Sequence, residues 1–202
     1  MRSASDLTAV ARIRATAMHL FALHGARGVS LRDVAREAGV SPSLVVHHFG
    51  SKEGLHDAVD THVAEVMRQL IGELADQPDD AGRATAALWS AIDREPDLMA
   101  YLRRSLVEGG APGRRLFMWM VEATERELSA MQDAGALRPS DDPRGRAVFL
   151  LANDMAPIVL RDLVADALGT DPLSRDGLAR WSSTLMDVYT RGLFSRPADE
   201  ED

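Results

Sequence analysis

Ser41, Ser43 and His47 are the side chains best placed to do chemistry, and that chemistry is hydrogen bonding rather than catalysis. Ser43 and His47 stand four residues apart, so on a helix they share a face. Ser41-Pro42 is a start signal: serine is a preferred helix cap, and proline suits the first helical position because its missing N–H would be unpaired anyway. Residues 42–49 therefore read as a short helix whose amino end presents Ser41, Pro42, Ser43, Leu44 and His47. A B-DNA major groove, about 12 Å wide, admits one such helix. The hydroxyls and the imidazole would meet base edges, while Pro42 and Leu44 touch only apolar features such as a thymine methyl. Ser30, Arg32, His48 and Lys52 are placed around this helix to hold phosphates. Lys52 is the one lysine of the chain and falls in the first turn of the next helix, where a cation opposes the helix dipole. An anion in front of it would explain the position; a solvated cation is the plain alternative. Val45, Val46 and Phe49 are expected to face a core.

These side chains need a frame, and the local signals supply one. Ser30-Leu-Arg-Asp33 opens a helix over 31–38 in the manner of a capping box, and Gly39 ends it. Helix, four-residue turn and helix over 31–49 make a helix-turn-helix unit. In front of it, 8–24 is helical with Val10, Ile13, Ala17, Leu20 and Phe21 on one face and Gly25 behind. After it, 51–75 carries Leu55, Val59, Val63, Val66, Leu70 and Leu74 along one side. Further helices are expected at 80–94, 97–107, 114–134, 143–168 and 174–194, divided by Gly- and Pro-containing breaks. No segment alternates like a strand.

Composition narrows the function classes. The 202 residues are 46% hydrophobic, enough for a core, and contain no cysteine, which excludes disulfides, thiolate metal sites and cysteine nucleophiles. There is no GxGxxG, P-loop, HExxH or GxSxG pattern. His47 and His48 are adjacent, so on a helix they diverge by about 100° and cannot share a metal. No catalytic residue, metal or cofactor is expected. There is no secretory leader and no apolar run long enough for a membrane, so the expected location is the cytoplasm. Net charge is −8, yet residues 1–56 hold seven cations against four anions, and the remainder 16 against 27. A mildly basic head on an acidic body suggests two surfaces with different partners, although so modest an excess also arises by chance.

The stretch FALHGARGVSLRDVAREAGVSPSLVVHHFGSKEGL resembles the DNA-binding domain of the tetracycline-repressor (TetR/AcrR-like) family of bacterial regulators. Phe21, Gly25, Gly28, Ser30, Val34-Ala35, Ala38-Gly39-Val40-Ser41, His48-Phe49, Ser51-Lys52 and Leu55 carry the likeness over residues 8–56. The family usually has a phosphate-touching tyrosine where Val46 stands, which leaves His47 or His48 to take over that contact. The resemblance implies an all-α protein of about nine helices: a three-helix helix-turn-helix domain over 1–56, a helical effector-binding and dimerisation domain over 57–195, and a disordered acidic tail over 196–202. It also implies a ligand-responsive homodimer, most simply a repressor, that binds double-stranded operator DNA with a palindromic sequence and lets go when a small molecule binds the body. A helical protein–protein module that has lost DNA binding is the alternative.

Within the body, large and soft residues suggest an effector pocket: Met67, Trp89, Tyr101, Phe117 and Met120, with Asn153-Asp154 beside a kink expected at Pro157. Val148, Leu151, Met155 and Val159 on one late helix and Leu178, Trp181, Leu185 and Val188 on the other suggest a dimer interface.

Overall fold

The computed structural model describes residues 4–75 and 81–192. Among the described residues there are ten helices and no strand: α1 (Ala4–Gly28), α2 (Leu31–Glu37), α3 (Pro42–Phe49), α4 (Lys52–Ala75), α5 (Ala81–Arg94), α6 (Leu98–Glu108), α7 (Gly110–Asp133), α8 (Pro143–Val159), α9 (Arg161–Leu168) and α10 (Arg175–Arg191). The all-α expectation holds, with one helix more than expected. The stretch 143–168 is two helices, because α8 carries Pro157 within its last turn and the backbone leaves helical geometry at Leu160 (φ −101°, ψ 23°). Proline lacks the N–H that would continue the ladder and crowds the preceding turn. The helix expected at 114–134 starts four residues earlier, at Gly110. Gly25, with φ +73°, bends α1 where a helix end was expected. The tail over 196–202 lies outside the described residues. No described helix is long and apolar enough to cross a membrane.

Helix α4 is the spine. Leu55, Val59 and Val63 are fully buried on it, with Met67 and Leu70 nearly so. Around its first turns pack Ile13, Ala17 and Phe21 from α1, Val34 and Ala35 from α2 and Val45 from α3. Leu116 and Met120 of α7 pack along α4 as well, while α6, with Leu98 and Leu102, packs against α1. These form one continuous core that runs on to Leu151, Met155 and Leu178. Polar contacts tie the same parts together. His19 Nδ1 lies 3.0 Å from Asp97, and His62 Nε2 lies 2.9 Å from Glu95. Arg104 donates to the Leu23 carbonyl at 3.2 Å, and Arg115 to Asp57 at 3.0 Å.

Candidate nucleic-acid interface and effector cavity

Helix α3 is built as its sequence promises. The Ser41 Oγ accepts the Leu44 N–H at 3.2 Å and lies 2.9 Å from Ser43 Oγ. Val45 is fully buried and anchors the helix, while Ser41, Pro42, Ser43 and His47 are exposed and Leu44 is half-buried. The amino end of α3 thus points outward. Gly54 lets it sit this close to α4, since a Cβ there would collide with the Phe49 carbonyl. Val46, expected in the core, is instead 47% exposed. It follows Pro42 and Ser43 by four and three positions, so it lies on their face of the helix rather than that of Val45. The open face is therefore Pro42, Ser43, Val46 and His47. The His47 ring is exposed, whereas His48 is half-buried with its ring 6.4 Å from that of Phe49. Phe49 packs against the core, as expected.

The expected phosphate holders differ among themselves. Ser30 caps α2 in a full capping box: its Oγ accepts the Asp33 N–H, and its own N–H and O–H both donate to Asp33. Those bonds, with Arg36 at 2.7 Å, hold the Asp33 carboxyl down at about 2. The Ser30 hydroxyl is thus engaged in the cap. Arg32 beside it is exposed. Lys52 Nζ donates to the Arg27 carbonyl at 3.1 Å, so this lysine supports the carboxyl end of α1, the end of the helix dipole that favours a cation. Sequence alone gave no sign of that partner, which lies 25 positions back.

The residues expected to line a pocket are dispersed. Met67, Tyr101 and Met120 are core residues, 4%, 1% and 0% exposed. The Tyr101 hydroxyl donates to Asp60 at 2.6 Å, and burial with the nearby carboxylate pushes that phenol far above its ordinary range. Trp89 packs half-buried against the core from α5. Asn153 donates to the Tyr189 hydroxyl at 3.0 Å and ties α8 to α10. Asp154 lies beside it; crowding by protein raises its carboxyl to about 6, although the residue keeps an open edge. Of the seven, Phe117 lines the cavity between α6, α7 and α8.

That cavity, about 530 Å³, lies between α6, α7 and α8. Leu106 comes from α6, and Gly109, Gly110 and Gly113 come from the turn into α7. Arg114 and Phe117 follow on α7, and Ala152, Met155, Ala156, Val159 and Leu160 face them from α8. Met155 and Val159 were expected at a dimer face and line the cavity instead. The missed signal is GGAPG over 109–113, a run of small residues that leaves room where two helices meet. Gly113 is itself required there, because a Cβ would collide with the Ser105 carbonyl.

The expected dimer face also divides. Leu151 and Leu178 are 4% and 2% exposed and belong to the single chain's own core. Trp181, Leu185 and Val188 are half-buried, and Val148 is exposed. Exposed apolar residues on α8, α9 and the turn between them are Val148 at 37%, Phe149 at 66%, Leu160 at 48% and Leu163 at 67%, and Val107, Met118 and Tyr189 are exposed on α6, α7 and α10. His56, Asp57 and Asp60 come closest to a metal-ligating group among the described residues. Asp57 already pairs with Arg115, and Asp60 with Tyr101.

Comparison with known proteins agrees with this geometry. The family model described as bacterial regulatory proteins, tetR family, matches residues 13–59, and that of a tetracyclin repressor-like C-terminal domain matches residues 93–195. The HTH-type transcriptional regulatory protein RaaS of Mycobacterium tuberculosis is 46% identical over 196 residues, covering 96% of this chain and 91% of that protein. The HTH-type transcriptional regulator BetI of Agrobacterium fabrum is 40% identical over 191 residues, covering 86% and 82%. Among solved structures, FadR from Bacillus subtilis in complex with stearoyl-CoA superimposes with a TM-score of 0.67 at 14% identity, over 91% of this chain and 99% of that one, a likeness of fold. An exposed capped recognition helix, an all-helical body and relatives alike over nearly their whole length place this chain in the tetracycline-repressor family of DNA-binding transcriptional regulators.

Proposed function

We propose that the protein is a ligand-responsive repressor that binds a palindromic operator as a homodimer and is released by a small molecule held in the body. The observation that carries this is the outward amino end of α3, anchored by Val45 and presenting Ser43, Val46 and His47. On this reading Ser43 and His47 meet base edges, Leu44 and Pro42 meet apolar groove features, and Val46 can touch a thymine methyl. Arg32, exposed beside α3, holds phosphate. The chain divides into a reading head over 1–56 and an effector and dimerisation body over 57–195. A second copy would dock along α8 and α9, on Val148, Phe149, Leu160 and Leu163, because a two-fold symmetric site calls for a two-fold symmetric protein.

The cavity between α6, α7 and α8 is the effector site on this reading. Leu106 and Gly109 at its wall lie on the segment that carries Arg104 and Glu108, and Arg104 holds the Leu23 carbonyl of α1. A ligand wedged at this turn would shift α6, and with it α1 and α4. The spacing of the two heads would change, and the equilibrium would move away from the DNA-competent state.

A mobility shift with the DNA upstream of the protein's own gene tests the reading. Arg32→Ala should weaken every sequence to the same degree, while Ser43→Ala and His47→Ala should change which sequence is preferred. Unchanged binding in all three variants removes the assignment.

A further inference from the structure

The cavity also restricts what can fill it. Its volume, about 530 Å³, is of the size that accepts a small organic molecule. Its walls are apolar, with Leu106, Phe117, Met155, Val159 and Leu160 as the large contributors. Among the described residues, Arg114 is the only charged one that lines it. Other arginines of the body are engaged: Arg103 with Asp162, Arg104 with Glu108, Arg115 with Asp57 and Arg144 with Glu125. Arg114 makes no ion pair or side-chain hydrogen bond among the described residues. A solvated guanidinium at an open mouth costs little. Once a ligand closes over that mouth, the charge needs a partner, because a desolvated, unpaired ion is strongly unfavourable. Among the described residues no aspartate or glutamate lines the cavity, so a cationic ligand would meet no counter-charge there and Arg114 against it.

We propose that the effector is an amphiphilic anion, with a carboxylate, sulfonate or phosphate head on the Arg114 guanidinium and an apolar body against Phe117 and Met155. This rests on the effector reading above. Planar oxyanions suit the guanidinium fork, which can donate two parallel hydrogen bonds. The charge of the body as a whole argues the other way: residues 57–202 hold 27 acidic against 16 basic side chains and would attract cations from solution. Long-range field and local cavity therefore predict opposite preferences, and one comparison separates them.

The experiment is calorimetric titration of the full chain with three ligands of one chain length, each below its micelle concentration: decanoate, decanol and decyltrimethylammonium. Decanoate is expected to bind once per chain and at least tenfold more tightly than the trimethylammonium compound. Arg114→Gln should reduce decanoate to the affinity of decanol and leave decanol unchanged, while Arg114→Lys keeps most of the preference. Ala156→Leu, which fills the cavity from α8, should weaken decanoate and decanol alike, with thermal unfolding confirming that the variant is folded. Equal or tighter binding of the cation overturns the proposal. So does an Arg114→Gln chain that binds decanoate normally, an Ala156→Leu chain that binds all three normally, or no decanoate binding at millimolar concentration. Parallel mobility shifts keep the two readings apart. A chain that prefers decanoate but never retards DNA supports the anion site and removes the operator reading. A chain that retards DNA but prefers the cation removes the anion proposal alone.

Discussion

Asp154 shows how one carboxyl can lower the stability of the fold that holds it. Burial raises it to about 6, so the folded chain holds its proton more tightly than the unfolded chain, where aspartate titrates near its ordinary 3.8. The associated stability is present below the ordinary value and is lost as pH climbs through about 6. Asp154→Asn should therefore match the parent near pH 4 and exceed it at pH 7 by about 1 kcal/mol, a figure kept small because solvent reaches the residue. Thermal melts across that range check the sign; a variant gain largest in acid would contradict it. Val45 makes the opposite case. Val45→Ala leaves a cavity beneath α3 and should cost about 2 kcal/mol, with DNA affinity falling alongside, as denaturant melts and mobility shifts would report.

Elements were more legible than sites. The caps Ser30 and Ser41, the breaks at Gly39 and Gly169, and the proline at the start of α3 are short-range signals, and the helices begin or end close to where those residues stand. The outward amino end of α3 followed from the same local logic. What sequence could not supply was pairing across distance. Lys52, expected to hold phosphate, also donates to the Arg27 carbonyl 25 positions back, and Met155, expected at an interface, lines a cavity with Phe117. A helical period says that a residue faces something apolar, but not whether that is the core, a cavity or a second chain. The α6–α7 junction carries its own prediction. Gly113→Val would drive a side chain into the Ser105 carbonyl, so α7 must move off α6. Several degrees of melting temperature should be lost, and effector response should suffer more than basal DNA binding, because the junction forms the cavity wall.

For the whole molecule, charge and symmetry set the expectations. Binding that neutralises phosphates with the cations of the reading head releases counterions, so log affinity should fall steeply and linearly with log salt. A slope near zero in a titration of a fixed operator fragment would contradict groove binding. The exposed Phe149 and Leu163, on neighbouring helices, predict that Leu163→Glu shifts the sedimentation profile towards monomer while the helical circular dichroism stays unchanged.

The unbroken core from Ile13 to Leu178 has a practical consequence for anyone who would re-engineer such a regulator. Its head is not a detachable cartridge. Phe21, Val45 and Leu55 belong to the same interior as Leu98 and Leu102, so a chimera that grafts residues 1–56 onto a foreign body inherits a mismatched seam along α6. Such hybrids should misbehave unless the transplant also carries the matching α6 surface, and sensors built from this scaffold are better retargeted by rewriting side chains on α3 than by exchanging modules.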